Sequence, residues 1–197
     1  MNEQVYLDLS NALEDFESFI EKISKVCDVD IMPGENDISG SFFPQQKLNI
    51  ALFPKLVKND NLLFCTNPHM FKMNGLLFLG TSGQNINDIA CFKSTEGISE
   101  VEILEETLEM RHLAPTCPDT LRSYPFEMED PLIIQEAPNV YFSSCAKSYD
   151  SKLIKQLDGI SRIFTVPSFK ETGGIVLLDL QTLDTYLYTI SAAKLTE

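Results

Sequence analysis

The side chains best suited to chemistry lie in a short polar loop early in the sequence. Residues 33–37 read Pro-Gly-Glu-Asn-Asp and follow a short, strand-like segment at residues 28–32. Hydrolysis of a phosphodiester by two metal ions needs carboxylate, amide and imidazole ligands, because the cations must clamp the phosphate and activate water. Glu35, Asn36 and Asp37 supply carboxylate and amide groups. Since the same residues also form an ordinary turn, a metal-ligand loop and a plain turn both remain open.

A second candidate is the glycine-rich segment at residues 80–84, Gly-Thr-Ser-Gly-Gln, which precedes a helical pattern at residues 86–91. Backbone N–H groups at a helix N-terminus favour phosphate binding, so this segment resembles a phosphate-cradling loop. It matches neither the G-x-G-x-x-G pattern nor the P-loop, and no basic residue follows it. The sequence therefore disfavours nucleotide binding at this loop.

The histidines and cysteines give weaker signals. His69 and His112 belong to no H-x-H or H-x-x-x-H pair. His112 follows a predicted helix C-terminus, where the helix dipole favours a cationic imidazole, so a structural role is favoured over catalysis. Lys147 would favour a thiolate at Cys145. Because no histidine lies near Cys145 in sequence, we favour an inert, buried thiol over a nucleophile.

The cysteine count favours reduced thiols. The five cysteines form no C-x-x-C pair, and their number is odd. Neither a zinc knuckle nor a disulfide framework is indicated by such spacing. An intracellular protein with reduced cysteines is the interpretation that this usage favours.

Helices and strands alternate along the sequence. Apolar residues at three- and four-residue steps predict a helix over residues 8–26. Asn74-Gly75 predicts a hairpin, and Ser99 with Glu102 predicts the capped start of an acidic helix that runs to Met110. Further strands are predicted at residues 28–32, 62–66, 132–135, 140–142, 160–166, 175–180 and 185–190. This order predicts an α/β (α+β) fold in which mixed β-sheets are flanked by helices.

Length and charge limit the possible partners. The 197 residues are enough for one domain, with little room for a second. The chain has 15 Lys and Arg against 29 Asp and Glu, a formal net charge of −14. This charge disfavours direct binding to nucleic acid or an anionic membrane and favours a basic protein partner. No signal peptide, apolar membrane span or basic nuclear signal is visible in the sequence.

Five segments, taken in order, match a family signature: residues 30–37, 79–89, 111–121, 124–126 and 138–142. They include G-T-S-G-Q-N-x-x-D-I and H-x-A-P-T-x-P-D-T-L. From about residue 5 to about residue 190 the chain resembles the small (second, B-type) subunit of eukaryotic DNA polymerase delta, rather than the corresponding subunits of polymerases alpha or epsilon. The signature residues are Gly80, Ser82, Gly83, Gln84, Asn85, Asp88, His112, Pro115 and Asp119.

The resemblance implies a fold and a domain assignment. The family combines an oligonucleotide-binding-fold domain with a calcineurin-like phosphodiesterase domain, and residues 1–197 resemble only the C-terminal portion of the latter. The oligonucleotide-binding domain and the first metal motifs, D-x-H and G-D-x-x-D, are therefore expected upstream of Met1. Truncation is favoured over a naturally reduced subunit.

The resemblance also implies a degenerate metal site. Archaeal small subunits, the catalytic relatives, carry P-G-N-H-D, Y-H-G and G-H-x-H motifs. Here the first reads Pro-Gly-Glu-Asn-Asp, the second lacks its histidine, and the third lacks both of its histidines. A lysine in the third motif places a cation where a metal would lie. The counterparts of the family ligands are Glu35, Asn36, Asp37, Ser82, Cys145 and Lys147.

A non-catalytic function follows from the resemblance. It implies an accessory subunit in the nucleus, without metal, cofactor or small-molecule substrate, that links the catalytic subunit's C-terminal domain to a third subunit. The loop at residues 112–124 is expected to be ordered, and the chain expressed alone to be aggregation-prone. Two alternatives remain open: a metallophosphoesterase with a rearranged site around Asp37, Glu35 and His112, and a cysteine-dependent enzyme at Cys145.

Overall fold

The computed structural model describes residues 3–93, 97–156 and 159–190, with side chains from residue 7. The chain divides into two compact units, where the sequence predicts one α/β unit. The first unit comprises Met1–Gly40 and Gln45–Asn67, and the second comprises Ser41–Pro44 and Pro68–Glu197. Among the described residues, no helix combines the length and apolar character that crossing a bilayer requires.

The first unit packs one long helix on a small parallel sheet. Its elements are α1 (Glu3–Ile23), β1 (Val29–Ile31), two short 3-10 helices (Ile50–Leu52 and Pro54–Leu56) and β2 (Leu62–Phe64). Ile20 of α1 packs with Phe53 and Phe64 in the core of this unit. The predicted helix and both predicted strands are confirmed, although the helix ends at Ile23 and leaves Val26 83% exposed.

A buried carboxylate stabilises the first unit. The Glu17 side chain on α1 is only 4% exposed, and its Oε1 accepts the backbone N–H of Lys55 at 2.6 Å. Its Oε2 lies 3.6 Å from the Lys55 ammonium. A buried charge is costly unless it is paired and hydrogen-bonded, and both requirements are met here. Glu17 therefore ties α1 to the second 3-10 helix.

The second unit is built on a five-stranded mixed sheet. Its elements in chain order are β3 (His69–Met73), β4 (Leu76–Thr81), α2 (Gln84–Phe92), α3 (Glu100–Glu109), β5 (Val140–Ala146), β6 (Asp150–Gln156), β7 (Gly159–Pro167), α4 (Phe169–Thr172), β8 (Gly174–Leu178) and β9 (Thr185–Thr189). The strand order is β3-β4-β5-β7-β6, with β8 and β9 as a separate antiparallel hairpin. β4, β5 and β7 run parallel, while β3 and β6 are antiparallel to their neighbours.

The two faces of this sheet bury different cores. Leu79, Tyr141 and Ile163 are cross-strand neighbours that pack in one cluster with residues of α2 and α3. The adjacent residues along these strands point to the opposite face, where Phe78 and Val140 pack in a second cluster that also contains residues of β8. The mixed α/β fold with sheets flanked by helices is therefore confirmed.

Two local signals predict the backbone well. Asn74 and Gly75 have φ values of 50° and 80°, as the two central residues of a tight hairpin turn require. Ser99 Oγ accepts the N–H of Glu102, and the Glu102 carboxylate accepts the N–H of Ser99, so the predicted capping box at α3 is complete. Both predictions are confirmed.

The strand predicted at residues 132–135 is wrong. Leu132 and Ile134 are buried, but their backbone groups bond to a loop: the Leu132 carbonyl accepts from Leu113, and the Ile134 N–H donates to Arg111. Only an isolated bridge between His112 and Ile133 forms. The alternation at 132–135 therefore reflects core burial without a continuous ladder. Strand β6 and helix α4 were not predicted.

Candidate functional site

Two of the three loops that carry the predicted ligand counterparts meet at one edge of the large sheet. β4 and β5 are neighbouring parallel strands, paired from Phe78–Val140 to Thr81–Ser143. Their carboxyl ends therefore lie side by side, which places Ser82 in the loop after β4 next to the end of β5. The Ser144 Oγ donates to the Thr81 carbonyl oxygen at 3.4 Å across this edge.

The glycines of the G-T-S-G segment allow two close approaches to β5. A Cβ on Gly80 would lie 2.3 Å from the Phe142 ring, and one on Gly83 would lie 2.2 Å from the Ser144 carbonyl oxygen. Gly83 also has a φ of 98°, a conformation that other residues rarely adopt. The Ser82 hydroxyl donates to Gln84 Oε1 at 3.0 Å. The segment is thus built for packing against β5.

Helix α2 ties the two longest signature segments together. Asn85, which is fully buried, donates from Nδ2 to the Leu113 carbonyl oxygen at 2.7 Å. One turn later, the Asp88 carboxylate accepts from the Thr120 hydroxyl at 2.7 Å. Pro115 lies exposed between these two anchors. Asn85 and Asp88 therefore have a structural explanation, which is to hold the proline-rich loop on α2.

His112 has the structural role that its position predicts. Its Nδ1 accepts the N–H of Ala114 at 3.2 Å, and its Nε2 lies 3.2 Å from the Asp130 carboxylate. His112 therefore links the start of the proline-rich loop to Asp130. His112 and Asp119 share this loop, and Asp119 is exposed.

In the first unit, residues 33–37 form a turn. The Asp37 carboxylate accepts the N–H of Gly34 at 2.6 Å, and the Asp37 N–H donates back to the Gly34 carbonyl at 3.3 Å. Glu35, Asn36 and Asp37 are all exposed. This pattern is typical of an aspartate that stabilises its own turn. The structure thus favours the plain turn of the two interpretations.

A buried glutamine that the sequence analysis missed also contacts this turn. Gln45 is 1% exposed, and its Nε2 donates to the Gly34 carbonyl and to the Ser39 hydroxyl, both at 2.7 Å. Its Oε1 accepts from Asn67 Nδ2 at 3.1 Å. Buried amides need such partners. An isolated glutamine carries no spacing signal, so the sequence gives no indication of this network.

Cys145 is exposed, so the predicted buried thiol is wrong. β5 is irregular between Ser143 and Ala146, and Cys145 within this bulge has a φ of 56°. The extra residue interrupts the alternation of the strand and turns Cys145 outward. Lys147 is also exposed, and its backbone N–H donates to the Glu100 carboxylate at 3.0 Å.

Two other cysteines, Cys65 and Cys117, have thiols with a raised pKa. Burial raises the pKa of Cys65 from its ordinary value of 9.0 to about 11, with a further contribution from the negative charge of Asp30. Burial likewise raises the pKa of Cys117 to about 11. Since the thiolate is the nucleophile, both thiols are unreactive near neutral pH.

A buried hydroxyl pair lies between α3 and the sheet. The Thr107 hydroxyl donates to the Leu104 carbonyl at 2.8 Å, so it must accept from the Tyr141 hydroxyl, 3.0 Å away. Burial raises the pKa of Tyr141, which is completely buried. This pair was not found from sequence, because neither residue stands in a recognisable motif. Its role is to satisfy polar atoms within the core.

The predicted ligand counterparts offer poor donors for a two-metal site. At the sheet edge, Ser82, Cys145 and Lys147 provide a hydroxyl, a thiol and an ammonium group. An ammonium repels cations, and hard divalent cations prefer carboxylates and carbonyls. Asp37, in the other unit, is engaged in its turn. These residues favour a surface of structural loops over a hydrolytic centre.

The known proteins that this chain resembles are subunits of DNA polymerases. The family model for the second (B) subunits of DNA polymerases alpha and epsilon matches residues 5–151. The chain is 41% identical over 184 residues to the DNA polymerase delta small subunit of Arabidopsis thaliana, and 33% identical over 205 residues to that of Saccharomyces cerevisiae. It is 27% identical over 153 residues to the DNA polymerase II small subunit of Pyrococcus horikoshii.

These matches cover most of this chain but less than half of each relative. The Arabidopsis alignment takes in 93% of this chain and 41% of the relative, and the yeast alignment takes in 90% and 42%. The archaeal alignment takes in 75% of this chain and 24% of the relative.

Proposed function

We propose, since this chain belongs to the DNA polymerase alpha/epsilon second-subunit family, that it acts as a non-catalytic accessory subunit of a DNA polymerase delta complex. The observation that carries the proposal is the 41% identity to the Arabidopsis delta small subunit across 93% of this chain. The delta signature segments lie within that match. DNA synthesis then belongs to the catalytic partner, which this chain stabilises and positions in the nucleus.

The domain assignment is part of the proposal. Residues 1–197 correspond to the C-terminal portion of an inactive calcineurin-like phosphodiesterase domain, whose oligonucleotide-binding domain and first metal motifs lie outside the chain. The chain aligns with 41% of the Arabidopsis relative, as expected if it corresponds to one portion of such a subunit. Lys147 carries an ammonium group, which has no lone pair to replace a histidine ligand of the third motif, and this supports an inactive site.

The proposed mechanism is surface presentation by anchored loops. The proline-rich loop at residues 112–124 is held on α2 through Asn85 and Asp88. Loops fixed on a rigid scaffold are suited to protein contacts, because little freedom is lost on binding. We assign the catalytic subunit's C-terminal domain and the third polymerase subunit as partners, without strong direct contact to DNA.

Primer extension with the catalytic subunit of the same organism tests this function. Adding the chain should prolong the half-life of polymerase activity on warming, because a partner that binds the folded state stabilises it. Heat-denatured chain serves as the control. An unchanged half-life, together with manganese-dependent phosphodiester hydrolysis that Asp37→Ala abolishes, would favour the metallophosphoesterase alternative.

A further inference from the structure

Three aromatic side chains lie exposed and adjacent in the second unit. The Tyr124 ring lies between Phe42 and Phe126, with centroid distances of 5.1 Å and 6.4 Å. Phe42 is 40% exposed, Tyr124 39% and Phe126 49%. Single exposed apolar residues are normal, but a contiguous aromatic group on the surface marks a contact site.

These rings border a small cleft. Tyr124, Pro125 and Phe126 line one side, Asp130 lies within it, and its volume is about 290 Å³. We call this feature, together with the Phe42 ring that packs on Tyr124, the aromatic cleft. Pockets for drug-sized ligands span about 300–1,000 Å³. The aromatic cleft is therefore of a size for one or two side chains.

Hydrogen bonds of the surrounding backbone position two residues of the aromatic cleft, Phe42 and Asp130. Phe43 is 2% exposed, and its N–H donates to the Arg122 carbonyl at 2.8 Å, so the adjacent Phe42 faces outward. Asp130 Oδ1 accepts the N–H of Leu132 at 2.8 Å. Binding to such a preorganised surface costs little ordering entropy.

The negative charge around the aromatic cleft favours a cationic ligand. The Asp130 carboxylate is 45% exposed and keeps lone pairs free for another donor, although it already lies 3.2 Å from His112 Nε2. Glu127 and Glu129 are exposed on the same loop, in a chain of net charge −14. An arginine would pair with a carboxylate through its planar fork and stack on an aromatic ring. Aromatic-lined grooves also bind proline-rich segments in the extended polyproline conformation.

We propose that the aromatic cleft binds an extended, proline-containing segment of a partner protein through an arginine side chain. The arginine pairs with Asp130 and lies against Tyr124, while the prolines of the segment pack on Phe126 and Phe42. Binding of this kind goes beyond the accessory role and requires no polymerase subunit. Its test therefore succeeds or fails independently of the proposed function.

The test is fluorescence anisotropy with the full 197-residue chain and a labelled peptide of prolines around a central arginine. Tyr124→Ala and Asp130→Asn should each weaken binding about tenfold, as loss of a central contact typically does. Met128→Ala is the matched control, because Met128 lies on the same loop, is 93% exposed and lies outside the aromatic cleft. A thermal melt of each variant checks folding, and Phe126→Ala replaces any variant that fails to fold.

Two control peptides decide between specific recognition and general charge attraction. Replacing the arginine by glutamate should abolish binding, and replacing the prolines by glycine should weaken it, because the extended conformation is then lost. Equal binding of the glycine peptide would show that the acidic surface alone attracts it. That result, or equal affinities for Tyr124→Ala and the Met128→Ala control, would overturn the proposal.

Discussion

Single residues of the signature carry structural constraints rather than chemistry. Gly80 and Gly83 let the loop after β4 pack against β5, while Asn85 and Asp88 hold the proline-rich loop. The Asp37 carboxylate completes a turn. Each role explains why that residue type is needed at its position without invoking substrate or metal.

Gly83→Ala should destabilise the second unit by about 3 kcal/mol, because the new Cβ combines a positive φ with a clash against a backbone oxygen. Gly75→Ala is the matched control: its φ is also positive, at 80°, but nothing lies within 4 Å of the new Cβ. It should cost only about 1 kcal/mol. Urea unfolding measures both, and equal losses would refute the close approach.

Thiol alkylation should separate the cysteines into two classes. At neutral pH the exposed Cys27, Cys91 and Cys145 should react in the folded chain, whereas Cys65 and Cys117 should react only after unfolding. Cys145→Ser should remove one label. Rapid labelling of all five thiols in the native state would contradict the structure.

The same thiols give a pH dependence with a definite sign. The pKa of Cys65 is about 11 in the folded state, against an ordinary value of 9.0. The unfolded thiol therefore loses its proton first as pH rises. The contribution of Cys65 to the free energy of unfolding is thus complete below pH 9 and is lost towards pH 11. The urea midpoint of Cys65→Ala should fall less than that of the wild type across this window.

Elements differ in how far the sequence determines them. Asn74-Gly75 and the Ser99–Glu102 capping box are recognised because each specifies its backbone locally. Strand β6 was missed because most of its residues are polar or exposed, and it forms by pairing with β7, which a local pattern does not show. Residues 132–135 show the opposite error, since a strand was predicted there and none forms. Their apolar alternation buries Leu132 and Ile134 in the core without a strand partner.

The capping box can be tested directly. Ser99→Ala should destabilise the chain by about 1 kcal/mol, because the Glu102 N–H at the start of α3 loses its side-chain acceptor. Ser168→Ala is the matched control, since Ser168 occupies the N-cap of α4 but its side chain makes no capping hydrogen bond. Equal changes in the urea midpoint for both variants would contradict the capping box.

Across the whole molecule, the family was recognised from sequence, but the placement of its residues required the structure. The exposure of Cys145 depends on a bulge, and the hydrogen bonds of His112 depend on where the loop after α3 places Ala114 and Asp130. Sequence spacing reports neither. The β8–β9 hairpin exposes Leu177, Tyr186 and Tyr188, which supports the prediction that the chain aggregates when expressed alone.

Copurification with the C-terminal domain of the polymerase delta catalytic subunit tests the accessory role most directly. When the two are expressed together, we predict a soluble complex that elutes as one species in size-exclusion chromatography, and a lower soluble yield of this chain alone. Separate elution of two folded proteins would contradict the accessory role.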